Sequence, residues 1–458
     1  MNVVDSRRIP FLATCGLAAL LLAAAPPAMA RKASATPPAS PALQASMASM
    51  PQQAAINAYY SRWQGPAWFG DGGRPATELA SILRRAPLDG LANGPALAAE
   101  VEQATQAAAT GNSADTAAAK RILSAAWVAY VEAIRQPTRN MIYGYASLAP
   151  KPGDVDQILT SAAGAKSLQQ HLTVVSAVNP VYSELREAAW SQMRSSSGAA
   201  PDPRIVANLN RLRSLPVGGR FVLVNAATQR LQMYENGRSV DSMKVIVGTK
   251  ELPTPMIASV IYYATFNPYW NVPDHLVRKT VAANVLRQGM GYLKSRGYQV
   301  MSDWSEKATV IPSSQIDWKA VAAGKTKIRV RQLPGPGNSM GRLKFSFANG
   351  EDIYLHDTPS KGLFAKSDRA LSNGCIRLED ATRFGRWLLG REPVAPSSEP
   401  EQFVQLPHGV PVYVTYLTAQ PAEGKISYAA DIYDRDASFP KTGAVTGSAS
   451  QSNRVSTN

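Results

Sequence analysis

The sequence predicts an α+β chain: a helical N-terminal scaffold, then a β-rich, sandwich-like domain interrupted by an inserted capping subdomain. Three observations carry that prediction. From Ala54 to about Arg194 apolar residues recur at helical spacing. After Phe221 the period shortens to two, the alternation of a pleated strand. Between about 275 and 335 the alternation lapses, and it resumes at Leu343. With 458 residues, 45% of them hydrophobic and 18% charged, the chain is long enough for several domains and too apolar to be disordered throughout.

Residues 1–30 are expected to form a secretory signal peptide. Arg7 and Arg8 precede an apolar run from Phe11 to Ala25, and Ala28-Met29-Ala30 supplies small residues for cleavage. The run is short for a membrane span, no later stretch is long and apolar enough to make one, and an uncleaved anchor is the alternative. Cys15 is a poor lipidation site, because Thr14 precedes it and most of the apolar run follows. Residues 31–51, rich in Ala, Ser and Pro, read as a flexible linker. The scaffold is assigned to residues 52–200. Leu79, Ile82 and Leu83 form one helical stripe; Ile122, Leu123, Ala126, Trp127, Tyr130 and Val131 form another, and core packing explains both. Ser195–Pro203 is small and polar and marks a break.

Residues 219–418 form the β-rich domain. Phe221–Val224, Leu231–Tyr234 and Met243–Val247 are strand-like, with a hairpin signal at Asn236-Gly237. Leu343, Phe345 and Phe347 alternate with Lys344 and Ser346, and Asn349-Gly350 turns the chain into Ile353–Leu355, an antiparallel texture. The insertion, about 275–335, holds a helical stretch from Val281 to Leu293 and ends in Pro334-Gly335-Pro336-Gly337; its place in the chain lets it cap a site. Residues 435–458, rich in Ser, Thr, Gly and Asn, read as a disordered tail.

Lys and Arg number 48 and Asp and Glu 33, a net charge of +15. A basic exported chain suits an anionic lipid or an acidic polymer such as the cell wall, whereas nucleic acid is not expected outside the cytoplasm. A merely soluble basic surface is the plain alternative. Two Cys exclude a disulfide-rich scaffold and a four-ligand zinc ribbon, and four His disfavour a multi-metal enzyme. If Cys15 leaves with the signal peptide, Cys375 is a lone thiol, either buried and inert or kept for chemistry.

The stretch that bears chemistry is Tyr354-Leu355-His356-Asp357-Thr358-Pro359 together with Leu371-Ser372-Asn373-Gly374-Cys375-Ile376-Arg377-Leu378. His356 ends a predicted strand, and Cys375 follows nineteen residues later in a small-residue turn. A thiol attacks acyl groups as thiolate, and an imidazole can take its proton. Gly374 leaves room beside the sulfur, and turn amides there could hold an oxyanion. A helix expected from Glu379 to Leu389 begins too far beyond Cys375 to activate it by its dipole. A core Cys near a structural His is the alternative. The order His before Cys argues against papain-like and wall-amidase enzymes.

His356 followed by Ser372-Asn373-Gly374-Cys375-Ile376-Arg377 resembles the signature of the L,D-transpeptidases, the YkuD-like catalytic domain. Gly248–Pro255 is similar to the family's Gly-to-Thr-Pro segment. Phe266–Pro273, Arg331–Pro336 and His356–Lys361 resemble the large periplasmic, YcbB-like branch, and the helical 54–194 region resembles that branch's scaffold more weakly. The resemblance implies a two-step acyl transfer on peptidoglycan stem peptides. Cys375 attacks the carbonyl between the third residue and D-Ala, and His356 takes the thiol proton and later serves the leaving amine. Backbone N–H groups around Asn373 to Cys375, those of Asn373 and Gly374 foremost, hold the oxyanion. A second stem's side-chain amine resolves the thioester into a 3→3 cross-link. Donor and acceptor stems are the implied partners, with no nucleic acid and no membrane span once the signal peptide is cleaved. No metal and no organic cofactor is implied, the location is periplasmic, and carbapenems acylate the Cys.

Two features depart from the family. Asn373 stands where His or Ser is usual, and Lys151–Ser214 shows no clear peptidoglycan-binding module. Arg377 is a candidate for a substrate carboxylate, or else for a structural salt bridge. Trp270 and Tyr269 are candidates for the donor groove, or else core. Asp357 or a backbone carbonyl orients His356, and His171, His275 and His408 read as structural or exposed. The competing functions are an L,D-carboxypeptidase or amidase using the same thioester, and a non-catalytic wall-binding protein.

Overall fold

The computed structural model describes residues 38–196 and 200–436. The expected signal peptide, residues 31–37 of the expected linker and residues 437–458 of the expected tail lie outside the described residues. The rest of the expected linker needs correcting, because Pro41–Ser49 is helical. Leu43 and Met50 are buried in the scaffold core, and the Ser40 amide donates to the Asp115 carboxylate at 2.7 Å. Two apolar side chains in an Ala/Ser-rich stretch suffice once a hydrophobic surface is there to receive them.

The scaffold's central helix is Ser113–Ile134. The Asn112 side chain caps it by accepting from the amides of Ala114 and Asp115. The whole predicted stripe from Ile122 to Val131 is buried. Arg74–Arg85 and Gly94–Ala108 pack around it, and Trp68 is buried with its indole N–H on Ser124 Oγ at 2.9 Å. The scaffold does not close on itself at residue 200. Helices Pro180–Ser195 and Pro203–Leu212 send Tyr182, Leu185, Leu209 and Leu212 into the core of the β domain. Met141–Tyr143, in the middle of the expected helical region, is a strand paired in parallel with Met256–Ala258. Three residues are too few for any alternation to show.

The β domain is one sheet closed into a ring. Met256–Phe266, Leu343–Ser346, Tyr354–His356, Ile376–Leu378, Arg238–Gly248, Arg230–Glu235, Arg220–Asn225 and Gln402–Thr415 follow one another, and the last pairs back with the first. The expected sandwich-like packing takes this form because the two long strands, Met256–Phe266 and Gln402–Thr415, serve both faces, with a register shift between Gln405 and Val410 where they bend. Asn236 and Gly237 take φ of 49° and 80°, as a two-residue hairpin turn requires. Not every pairing is antiparallel: Tyr354–His356 runs parallel with Ile376–Leu378, and Gln402–Thr415 parallel with Arg220–Asn225.

The inserted subdomain is wider than expected and is not free of strands. It begins at Trp270, and Trp270–Val272, Arg329–Gln332, Tyr298–Met301 and Val310–Ile311 form its own antiparallel sheet. Strands of two to four residues leave too little periodicity to read. The single expected helix is two: a helical run ends at Gln288, Gly289 takes φ 78°, and Gly291–Arg296 follows. Val272, Val281, Trp318, Val321 and Val330 give the subdomain a core of its own.

Candidate active site

Strand register builds the site. His356 lies opposite Arg377, and Leu355 opposite Ile376. One step back, the same register sets Cys375 beside Tyr354. The pairing brings residues twenty-one apart in sequence to one inter-strand spacing of about 4.8 Å and leaves His356 and Cys375 two positions out of register across it. Parallel neighbours need a crossover, which residues 357–375 supply through the turn Lys361–Ala365, anchored by buried Phe364.

The turn that carries the thiol is clamped from both sides. Gly374 has φ 116°, a backbone conformation that side chains disfavour. The Ser372 hydroxyl donates to the Cys375 carbonyl at 2.6 Å and accepts from the Gly374 amide at 3.2 Å. The hydroxyl of buried Thr254 donates to the Gly374 carbonyl at 2.7 Å and accepts from the Gly248 amide at 2.8 Å. The Tyr433 hydroxyl donates to the Gly248 carbonyl at 2.6 Å, and Arg435 Nη2 to the Thr254 carbonyl at 2.9 Å. Arg211 Nη1 meets the Asp436 carboxylate at 2.7 Å, so residues 435 and 436, expected to be disordered, are tied to the domain. The Gly374 amide, expected to face an oxyanion, is committed inside the turn.

Cys375 is half-buried and donates to the Asp352 carbonyl at 3.6 Å. Burial raises its pKa above the ordinary thiol value, and hydrogen bonds with Tyr354 and the charges of Lys344 and Arg377 offset only part of that. His356 is buried, with Nδ1 2.6 Å from the Asp357 backbone carbonyl oxygen. A carbonyl can only accept, so Nδ1 carries the hydrogen and Nε2 keeps its lone pair. The Asp357 carboxylate looks elsewhere, accepting from Lys361 Nζ at 2.8 Å and the Arg342 amide at 3.0 Å. Burial, and then the Arg377 charge, push the His356 pKa down to about 3. Thiol and imidazole therefore rest as a neutral pair, and the thiol hydrogen bond goes to Asp352 rather than to His356. Such bonds commonly tighten only when substrate is bound.

The site opens into a cavity of about 840 Å³. The ring contributes Cys375, His356, Arg377, Lys344 and exposed Asn373; the inserted subdomain contributes Trp270 and His275. Trp270 lies in the subdomain's own sheet, tilted against Tyr298 with ring centres 6.4 Å apart. The neighbouring Tyr269 ring lies under Arg331 at 4.3 Å. Arg377 has no carboxylate partner among the described residues, and its buried Nε meets no acceptor, so the alternative of a structural salt bridge is not what the fold builds. Burial lowers its pKa. His171 packs against Trp127 with ring centres 6.1 Å apart, and His408 is exposed. No group of three or more His, Cys, Asp or Glu side chains among the described residues is placed to hold a metal ion.

Sequence reasoning missed three residues here. Tyr354 stacks edge-on to His356 at 5.6 Å, and its position two residues before His356 on one strand was the available signal. Lys344 pairs with His356 across the sheet and places its ammonium 4.9 Å from the Tyr354 ring centre. Thr254 was quoted only as part of a segment, and nothing local shows that its hydroxyl reaches Gly374.

Residues 219–414 match the YkuD family, the L,D-transpeptidase catalytic domain, and residues 53–188 match the family described as the Scaffold domain. A Haemophilus influenzae protein assigned by name to the L,D-transpeptidases is 27% identical over 316 residues, 67% of this chain and 63% of that protein. The chain thus aligns to somewhat under two thirds of that relative's length. An L,D-transpeptidase structure from Mycobacterium smegmatis is similar over 43% of this chain and 58% of its own, with 11% identity and a TM-score of 0.22. A mutant Enterococcus faecium L,D-transpeptidase structure is similar over 44% and 51%, with 8% identity and a TM-score of 0.22.

Proposed function

We propose that this chain, whose residues 219–414 belong to the YkuD family of L,D-transpeptidase catalytic domains, cross-links peptidoglycan stems through a thioester on Cys375. One observation supports this reading most. The only thiol among the described residues shares a cavity wall with an imidazole whose Nε2 is left free to accept a proton.

In this mechanism a tetrapeptide stem enters between the ring and the inserted subdomain, and Arg377 and Lys344 take its carboxylate charge. Cys375 Sγ forms a bond to the carbonyl carbon between the third residue and D-Ala as its proton passes to His356 Nε2. The pair begins neutral, so proton transfer accompanies attack rather than preceding it, and the two nearby cations favour the thiolate as it develops. With Gly374 N–H held by Ser372, the amides of Asn373 and Cys375 receive the oxyanion. The carbon–nitrogen bond then breaks, and His356 returns the proton to the departing D-Ala amine. An amine from a second stem next attacks the thioester, His356 takes its proton, and the thiol is restored. Asn373 faces the cavity, where it reads substrate in place of the family's usual His or Ser.

Transfer is favoured over hydrolysis because the inserted subdomain roofs the cavity and limits water at the thioester. Incubation of the purified protein with tetrapeptide muropeptides tests the reading. Dimers with release of D-Ala are expected; shortened stems alone would make it a carboxypeptidase, and no change a wall-binding protein. We place the protein in the periplasm on its expected signal peptide. No helix among the described residues is long and apolar enough to cross a membrane.

A further inference from the structure

The charge of this protein is unevenly laid out. Residues 53–188 carry eleven Lys and Arg against eleven Asp and Glu, a net charge of zero. Residues 270–341, the inserted subdomain, carry eleven Lys and Arg against four Asp and Glu, a net of +7. Ten of those eleven basic residues are exposed. The scaffold neutralises its charges in pairs such as Arg62–Asp156 at 2.8 Å. In the inserted subdomain the only ion pair among the described residues is Lys327 with Asp274, at 4.0 Å. Like charges left unpaired on a small domain repel one another, so the arrangement costs stability unless something anionic is bound.

The charges also have a focus. Arg278 and Lys327 line a second cavity, of about 240 Å³, walled by Gly324 and Thr326. A side chain at Gly324 would come within 2.8 Å of the Arg278 guanidinium, so the glycine leaves the cation its room. Lys279 and Lys325 flank the opening in sequence and are exposed. Asp274 and His275 line this cavity and the catalytic one alike, so the two adjoin.

We propose that this basic edge of the inserted subdomain docks the protein on the wall, by taking carboxylates of stem peptides other than the one being cut. The proposal rests on the wall-acting reading above. It gives the chain a means of holding an insoluble acidic polymer other than the module of which Lys151–Ser214 shows no clear copy. Arg278 holds one carboxylate in the cavity, where Lys327 turns to it from its 4.0 Å contact with Asp274, and Lys279 and Lys325 add charge at its rim.

The test is co-sedimentation of the full chain, carrying Cys375→Ala to prevent turnover, with insoluble peptidoglycan. A variant with Arg278, Lys279, Lys325 and Lys327 each changed to Gln is compared with one in which Arg230, Arg238, Lys366 and Arg391, exposed on the β domain, are changed instead. Both variants are checked for a thermal midpoint no lower than the parent's, with Lys327→Gln alone as the milder form. About tenfold or more loss of affinity is expected for the first variant only, from the summed worth of four exposed pairs. The same loss is expected when the polymer's carboxylates are amidated, and binding should weaken steeply with salt. Equal loss in both variants, unchanged binding to amidated polymer, or tighter binding to phosphatidylglycerol vesicles than to the wall would each overturn the proposal. Turnover of soluble muropeptides by the unsubstituted protein is measured separately. Wall binding without turnover would sink the transferase reading and leave the docking surface standing.

Discussion

Two arginines, one in the scaffold and one in the ring, are handled in opposite ways. Arg186 is buried beside Asp89, Nη1 to Oδ1 at 3.4 Å, and the same carboxylate accepts from Tyr130 at 2.9 Å and Tyr182 at 2.6 Å. That network joins the scaffold helices to the helix that enters the β core. Arg377 is also drawn out of water, yet no carboxylate meets it among the described residues, and it faces a cavity. A buried charge that the chain itself neutralises belongs to the fold. A desolvated charge left without a counterion is costly to keep, and the carboxylate we propose for Arg377 is what would offset that cost.

The largest effect is expected at Cys375. Cys375→Ala should abolish turnover and leave the fold intact, since little volume is lost and no other described thiol exists. Mass spectrometry after carbapenem treatment checks it, and an adduct on any other residue would falsify the assignment. Next comes His356→Gln, which keeps hydrogen-bonding capacity but removes the base. Turnover should fall by about 10²–10⁴ with substrate affinity nearly kept, and parent-like rates would hand the proton to another group.

The two arginines themselves sharpen the contrast. Arg186→Met leaves Asp89 buried and uncompensated, and should cost about 3–5 kcal/mol in urea unfolding. Arg377→Met should leave stability level or slightly higher while raising KM about 10- to 100-fold, the worth of a charge-assisted bond. Equal destabilisation by both would erase the distinction.

Measured per pH unit, the smallest effect is a stability slope. The folded pKa of His356 is depressed to about 3 from an ordinary 6.5, so between those values the unfolded chain holds a proton that the native chain refuses. His356 therefore contributes stability above about pH 6.5 that is lost as pH falls toward 3, at up to about 1.4 kcal/mol per pH unit. Unfolding free energies of the parent and His356→Gln should diverge across that window, and parallel curves would mean the imidazole is not shielded as described.

Much of the site could be read from residue order, and much could not. His356, Gly374 and Cys375 stand out because few residue types can accept a proton, tolerate φ 116° or form a thioester. Tyr354 is legible from the strand alternation, which puts it on the same face as His356. Thr254, Tyr433 and Lys344 were not legible, because their role is contact across the sheet and sequence separation hides it. The helix at Pro41–Ser49 and the strand at Met141–Tyr143 failed for a related reason: short elements take their stability from the surface they land on.

By itself the sequence determined the class of the chain, the change of period near Phe221, the lapse that marks the inserted subdomain, and the pair of side chains for which we propose acyl chemistry. These follow from local periodicity and from the scarcity of chemically competent groups. The tertiary structure decided the rest. It closed the sheet into a ring, set His356 on one strand and Cys375 in the turn that enters the parallel strand beside it, fixed the imidazole tautomer through a backbone carbonyl, and spent the Gly374 amide inside its turn. Each of those depends on desolvation and on hydrogen bonds between segments distant in the chain, and such terms have no local signature.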